Sequence, residues 1–392
     1  MDITNALNNV EDYVIAMRRH FHMHPERSFE EFETTKRITE ELDSMGVSYE
    51  LPEEAPRTGV IAYIDGTKEG AYKAIALRAD IDALSVTEAN NVEYKSQNAG
   101  TMHACGHDGH AAMLLGAAKV LAQMTDQFCG RVYLIFQPAE EVGLGAKYMM
   151  RQGTWFDEID SIYGSHLWNS LEAGKINVEA GPRMASAETL EVAIHGKSGH
   201  SSEPHTCVNA VLVAAQAIVA LQQMASVTYN AFDPVVIVPT MMEGGTKINI
   251  LPGEAKFSGT ARYFSKAISE RIEDDVHRVL KGVCDISGAT YDLTYTRLLI
   301  PTINDPGAVA TAHAALTHYI GEEVFEPMAQ VNGGEDFSFY LDKKPGVFAF
   351  VGTRNVEKGC AAAHHNERFD IDESALKHGV GMYVGYTLEA LQ

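Results

Sequence analysis

The run TMHACGHDGH, Thr101 to His110, places three histidines, a cysteine and an aspartate within eight residues, His103 to His110. Cys105 and His107 stand two apart. On an extended loop both side chains can face one ion, whereas on a helix they would point about 200° apart. Further along, QPAEE ends in Glu140 and Glu141, which point to opposite sides of an extended backbone. One of the pair can bind metal while the other faces a substrate and moves protons. Asp80 and Asp82 follow AIALR, His166 ends SIYGS, and His364 and His365 lie in a loop after GVFAFVG. Thiolate, imidazole and carboxylate together suit zinc, manganese, cobalt or nickel better than magnesium or calcium. Two such ions sharing a bridging water would supply a nucleophile at neutral pH and a Lewis acid for a carbonyl.

Each group also has a plainer reading. A lone histidine is usually a surface or hydrogen-bonded residue, and His20, His24, His195, His205, His313 and His318 are read so. His110, on the apolar helix behind the loop, is expected to pack. What unites the five segments is their place at strand ends, where ligands gather in open α/β sheets. The chain carries no HExxH, GxSxG, P-loop or GxGxxG.

The elements that must hold these residues alternate. VEDYVIAMRRHFHMHPE reads as an amphipathic helix stopped by Pro25. TGVIAYID, AIALRADID, RVYLIF and SIYGSHLW read as strands, and GHAAMLLGAAKVLAQM as a helix. That alternation predicts an α/β domain with a mixed, largely parallel sheet flanked by helices. From about 185 to 298 the order becomes β-α-β-β-α-β, the split βαβ signature. GVFAFVG and a closing helix capped by Asp372 then resume the first pattern. We expect a catalytic domain at 1–183 and 299–392, interrupted by a smaller inserted domain at 184–298.

Composition narrows the function classes. A net charge of −22 repels phosphate backbones and anionic lipid heads, which argues against nucleic-acid and membrane partners. No run is expected to reach the roughly 20 apolar residues of a membrane span. The opening MDITNALNNVEDYV carries acids where a signal peptide carries lysines. The five cysteines are odd in number and lack any CxxC, which disfavours a disulfide framework. A cytoplasmic protein is expected.

RRHFHMHPE, LRADIDALSVTE, MHACGHDGHAAMLLGAA, LIFQPAEEVGLGAKYM, GKSGHSSEPH, INILPGEAKFSGTAR, GGEDFSFY and HHNERFDIDE occur in that order over nearly the whole chain. They resemble the motifs of the dinuclear metallo-amidohydrolases, the group of hippurate hydrolase and the indole-acetyl-amino acid hydrolases within the aminoacylase and carboxypeptidase family. The resemblance implies hydrolysis of N-acyl-L-amino acids by two divalent ions. Zinc, manganese, cobalt and nickel all remain candidates. It makes Cys105, His107, Glu141, His166 and His365 the ligands, His365 being preferred to His364 by its spacing to Phe369. It makes Glu140 the base that takes a proton from the attacking water and passes it to the leaving amine. His200 resembles a histidine that reaches the partner subunit's site and stabilises the oxyanion. Asn249 and Arg262 resemble residues that hold the substrate carboxylate or its vicinity. LRADID lacks the histidine that accompanies a catalytic Asp in the larger family, so Asp80 is read as support behind the ligands. The resemblance further implies a ferredoxin-like lid and a homodimer. The chain departs from the pattern at Asn366 and Glu367, where relatives commonly carry a proline. The rival enzyme reading is a dipeptidase or aminopeptidase on the same metals. A binding protein without catalysis would lack Glu140 or a ligand, and none is missing.

Overall fold

The computed structural model describes residues 3–392; Met1 and Asp2, the first residues of the expected catalytic domain, lie outside them. Helices α1 (Ile3–Met23) and α2 (Phe32–Met45) precede strands β1 (Ser48–Glu50), β2 (Val60–Thr67) and β3 (Ala74–Asp80). A long loop leads to α3 (His107–Leu121), β4 (Cys129–Gln137), β5 (Ser161–Glu172) and β6 (Ile176–Asn177). The central segment supplies β7 (Ala187–His195), α4 (Ala210–Val227), β8 (Val235–Gly244), β9 (Glu254–Tyr263), α5 (Ile272–Ser287) and β10 (Thr290–Leu299). Helix α6 (Pro306–Tyr319), β11 (Gly346–Arg354) and α7 (Leu376–Ala390) close the chain.

The chain divides into two compact units. The larger takes the residues up to Gly181 together with Ile303–Ala329 and Phe339–Gln392. Its seven-stranded sheet runs β1-β2-β4-β3-β5-β11-β6. The pairs β4–β3, β3–β5 and β5–β11 are parallel, while β1, β2 and β6 are antiparallel to their neighbours. The sheet is therefore mixed and largely parallel, as expected. All of β3, AIALRAD, is buried, as a strand covered on both faces requires. Ile3, Leu7, Val10, Val14, Met17 and Phe21 recur every three or four residues along α1 and enter the same core.

Two helices of this unit were not foreseen. In α2 the buried positions are Thr34, Thr35, Ile38 and Leu42, a stripe half made of threonine that a search for apolar periodicity passes over. Helix α6 is alanine-rich with little contrast between its faces, although Asp305 caps it and Pro306 occupies its first turn. Asp372 caps a single 3-10 turn, Glu373–Ala375, that leads directly into α7. His166 does not end its strand, since β5 continues to Glu172; it lies two residues beyond Gly164, the partner of Arg78, and so level with the end of β3.

The smaller unit comprises Pro182–Thr302 and Gln330–Ser338. The second segment was not expected there. It joins because the amide of Ala185 donates to Val331 O and the amide of Val331 donates to Arg183 O. The four-stranded sheet runs β8-β9-β7-β10 with every pair antiparallel. Helix α4 is, by length and composition, long and apolar enough to cross a membrane, which the sequence reading did not anticipate. Its residues Ala210, Val213, Ala214, Ala217, Leu221 and Met224 are buried in this unit's core.

Candidate metal centre

The cage is built at the carboxyl ends of β3 and β4, with β5 and the loop after β11 beside them. Gly106 separates Cys105 from His107 with φ 94°, a left-handed turn that favours glycine. Cys105 is thereby left in the loop and His107 becomes the first residue of α3. The His107 Nδ1 approaches Asp82 O at 3.0 Å and Asp82 Oδ1 at 3.2 Å. Both oxygens can only accept, so Nδ1 carries a hydrogen and, in the neutral ring, Nε2 keeps its lone pair. That Nε2 is buried and has no hydrogen-bond partner.

His166 is oriented in the same way. Its Nδ1 donates to Leu167 O at 2.7 Å, which leaves Nε2 facing Cys105 Sγ at 3.5 Å. Glu141 Oε1 lies 3.8 Å from His107 Nε2, and Oε2 lies 3.6 Å from His365 Nε2. Glu141 Oε1 is a second buried atom without a hydrogen-bond partner. Donor atoms of Cys105, His107 and His166 lie within 4.8 Å of one another, as do those of Cys105, Glu141 and His365 and those of His107, Glu140 and Glu141. Two clusters thus share the Cys105 sulfur.

The adjacent histidines of the last loop differ in what they touch. His364 Nε2 donates to Leu167 O at 2.9 Å, and its ring stacks on Trp168 with centroids 4.4 Å apart. His365 is turned the other way by a left-handed backbone, φ 65°, with its amide donating to Ala104 O at 2.8 Å.

Electrostatics disfavour an isolated thiolate and divide the imidazoles. Burial opposes charge on His107, but the Asp80 and Asp82 carboxylates outweigh it and raise His107 well above the ordinary histidine range. Burial, with the His110 and His364 rings nearby, holds His166 well below the ordinary histidine range. Burial brings His364 down to about 4. Burial and the Glu141 carboxylate push the Cys105 thiol well up. Burial raises Glu141 to about 7, with His107 opposing and Asp82 and Asp80 adding to the rise. A cation held here would offset these penalties, because it would pair with the thiolate and carboxylate and compete with the proton on His107.

Around the cage lies a network that the sequence reading only partly foresaw. Asp82 orients His107, and its Oδ2 also accepts from the Ser28 hydroxyl at 2.6 Å and from the Glu141 amide at 3.1 Å. Asp80 accepts from Arg78 at 2.6 Å and from His110 Nδ1 at 2.5 Å. The His110 Nε2 accepts the Leu167 amide at 2.8 Å, which fixes the tautomer. His110 is buried as expected, but it carries a bond at each nitrogen. Its i, i+3 spacing from His107 was the available signal. His103, the first histidine of the run, is buried with neither nitrogen bonded, and burial lowers it to about 4.

A second layer is anchored by Arg18, which is fully buried. Its Nε donates to Asp108 Oδ2 at 2.9 Å, Nη2 to Asp370 Oδ1 at 2.8 Å and Nη1 to Glu373 Oε1 at 3.3 Å. His22, one turn on, approaches Asp108 at 2.7 Å and Glu88 at 3.3 Å. Burial and Arg18 act to lower the His22 pKa, but the two carboxylates outweigh them and raise it. Asp108 follows His107, and Asp370 lies five residues beyond His365. One helix therefore grips both segments that carry the candidate ligands His107 and His365.

In the smaller unit, His200 lies on the short strand Gly199–His200 opposite Ile250. Its Nδ1 accepts from the Ser202 amide at 3.2 Å, so the neutral ring carries its hydrogen on Nε2. Asn249 neighbours it, with its carbonyl accepting the Ser201 amide at 3.1 Å. Arg262, on β9, donates to Asn332 O at 2.8 Å.

The profile of peptidase family M20/M25/M40 matches residues 76–389. The chain is 38% identical over 386 residues to thermostable carboxypeptidase 2 of Saccharolobus solfataricus, covering 97% of this chain and 96% of that protein. It is 39% identical over 303 residues to the N-acyl-L-amino acid amidohydrolase of Geobacillus stearothermophilus, covering 77% and 81%. A crystal structure of a Bacillus subtilis protein, described as a dinuclear metal-binding peptidase of the M20 family, is similar at TM-score 0.86 and 33% identity, covering 98% and 99%. With that profile spanning most of its length and relatives matching it almost end to end, the chain belongs to peptidase family M20/M25/M40.

Proposed function

We propose that this protein hydrolyses the amide bond of N-acyl-L-amino acids with two divalent transition-metal ions, releasing a carboxylic acid and a free amino acid. One observation carries the reading: the lone pairs of His107 and His166, the unpartnered Glu141 Oε1 and the Cys105 sulfur converge beside the second carboxylate, Glu140. Cys105, His107 and His166 would hold one ion, and Cys105, Glu141 and His365 the other. When bound, the ions supply Lewis acidity at the acyl carbonyl and lower the pKa of a coordinated water. Glu140 accepts the proton of the attacking water and delivers it to the nitrogen of the departing amine. The His200 Nε2–H donates to the developing oxyanion, at the partner subunit's site. Asn249 and Arg262 hold the substrate carboxylate, for which a planar guanidinium is apt. Asp80 keeps His110 in place behind the ligands.

We read the smaller unit as a ferredoxin-like lid and dimerisation domain. In support, its strand order and connections follow the split βαβ pattern. Strand β8 is an edge strand exposing Val236, Val238, Met241 and Met242, and α4 exposes Leu212, Val219 and Val227. An unpaired apolar edge is a liability that a second copy would cover. Five free cysteines fit a reducing, cytoplasmic compartment.

The test strips the protein with chelator and reloads it separately with zinc, manganese, cobalt or nickel. Release of amino acid is then measured from N-acetyl, N-benzoyl and N-indole-acetyl amino acids, with dipeptides alongside. Metal-restored hydrolysis of the acyl series is expected. Turnover of dipeptides alone would transfer the assignment to a peptidase, and silence on every substrate would sink the reading.

A further inference from the structure

The turn that carries Glu140 is held on both sides by carboxyl groups from other segments. After β4 the chain passes through Pro138 and Ala139, and Ala139 has φ 56°, in the left-handed region that alanine rarely adopts. Such a backbone persists where its surroundings over-determine it. The Ala139 amide donates to Glu31 Oε1 at 2.9 Å, and the Glu141 amide donates to Asp82 Oδ2 at 3.1 Å. Glu140 lies between these two fixed amides. Both supports lead back to one short segment, because Ser28 binds the same Asp82 Oδ2 at 2.6 Å. On its other side the turn is closed by Gly143 N donating to Glu140 O at 2.7 Å and Gly145 N donating to Ala139 O at 3.1 Å. A Cβ at Gly145 would come within 1.7 Å of Pro138 O, so the turn has no slack there.

Glu31 is fully buried, and its Oε2 has no hydrogen-bond partner. Among the described residues, the hydrogen bond from the Ala139 amide ties its side chain to the turn. Burial, reinforced by the neighbouring Asp82 carboxylate, raises it to about 8. A protonated carboxyl and a glutamine amide then offer the same accepting carbonyl.

The geometry points to Glu31 as a positioning residue: through Ala139 it fixes the backbone from which Glu140 reaches the reacting atoms. This rests on the role proposed above for Glu140. The test compares metal-loaded wild type with Glu31→Leu, Glu31→Asp and Glu31→Gln. Leu removes the acceptor, Asp draws it back by one methylene, and Gln keeps it. A misplacement of about 1 Å can cost about a hundredfold. For Leu and Asp we expect kcat to fall about 10- to 100-fold with KM within about twofold, and for Gln kcat within about threefold. Amide hydrogen exchange of the 137–145 segment should quicken in Leu and Asp but not in Gln, while metal stoichiometry stays unchanged. Unaltered exchange, or a Gln variant as impaired as Leu, overturns the proposal. So does a fall in melting temperature with kcat unmoved. If Leu does not fold, Asp and Gln still decide between these outcomes. If wild type turns over no acyl amino acid, the function is wrong and exchange alone judges the clamp.

Discussion

Two imidazoles in the cage, His107 and His166, are oriented by the group bound to their other nitrogen. Leu167 O is shared by His166 and His364, yet these two rings have opposite fates. His166 uses Nδ1 and keeps Nε2 for the cage, whereas His364 uses Nε2 and stacks on Trp168. His365→Ala should therefore weaken metal binding by more than about tenfold, while His364→Ala leaves it within about threefold, as read by chelator competition. The reverse ranking would show that the ligand was misassigned. Glu140→Gln should bind metal normally and lose about 10²- to 10⁴-fold in kcat, the range of a general acid–base group. Retained turnover removes Glu140 from the proton path. Glu31 makes a prediction about stability. It keeps its proton in the folded chain up to about pH 8, but in the unfolded chain it ionises near the ordinary value of 4.5. Between those values the native state binds more protons, so stability drops as pH rises through this window. Glu31→Gln should flatten that decline in urea unfolding of metal-stripped protein. Parallel pH profiles for the two proteins would exclude a buried neutral carboxyl.

Helix α1 acts as a brace, and its contribution is visible only as an element. Arg18 and His22 stand four residues apart on one face and take hold of Asp108, Asp370, Glu373 and Glu88. Nearby, the Tyr94 ring lies 4.8 Å from the Arg18 guanidinium, and its hydroxyl donates to Asp370 Oδ2 at 2.9 Å. Arg18→Met keeps much of the apolar stem but removes the cation shared by Asp108, Asp370 and Glu373, leaving His22 on Asp108 and Arg19 on Glu373. Removing one partner of a buried ion network costs about 3–5 kcal/mol. We expect a loss of that order in urea unfolding of the metal-free protein, well above the cost of removing an exposed pair such as Lys36–Glu33. A loss below about 1 kcal/mol would mean that the network is decoration.

For the whole molecule, the proposed metal ions and second copy would both act by mass action. An ion that binds the folded chain and not the unfolded one stabilises it by about 2.7 kcal/mol at a hundred times its Kd. Chelation should accordingly lower the melting temperature, and readdition should restore it. Val238→Lys, on the outer strand of the smaller unit's sheet, should shift sedimentation toward a monomer, because a charge on an apolar edge opposes edge pairing. An unchanged sedimentation coefficient would count against this strand as the contact of the proposed dimer.

Much of the cage was legible in the chain because its residue types are rare outside sites and recur at strand ends. The parallel sheet was legible because β3, β4 and β11 are nearly continuous apolar runs. Residue type and strand-end position put Cys105, His107, Glu140, Glu141 and His166 forward as candidates, and the family resemblance chose among them. Tertiary structure decided the rest, because a hydrogen bond between distant segments leaves no local pattern. Asp82 orients His107 across 25 positions, Glu31 reaches Ala139 across 108, and Arg18 reaches Glu373 across 355. The i, i+3 and i, i+4 pairs His107–His110 and Arg18–His22 hinted at shared faces, but not at what those faces would meet. The sequence specified which atoms can bind metal. The fold determined which nitrogen of the His107 and His166 rings faces the cage.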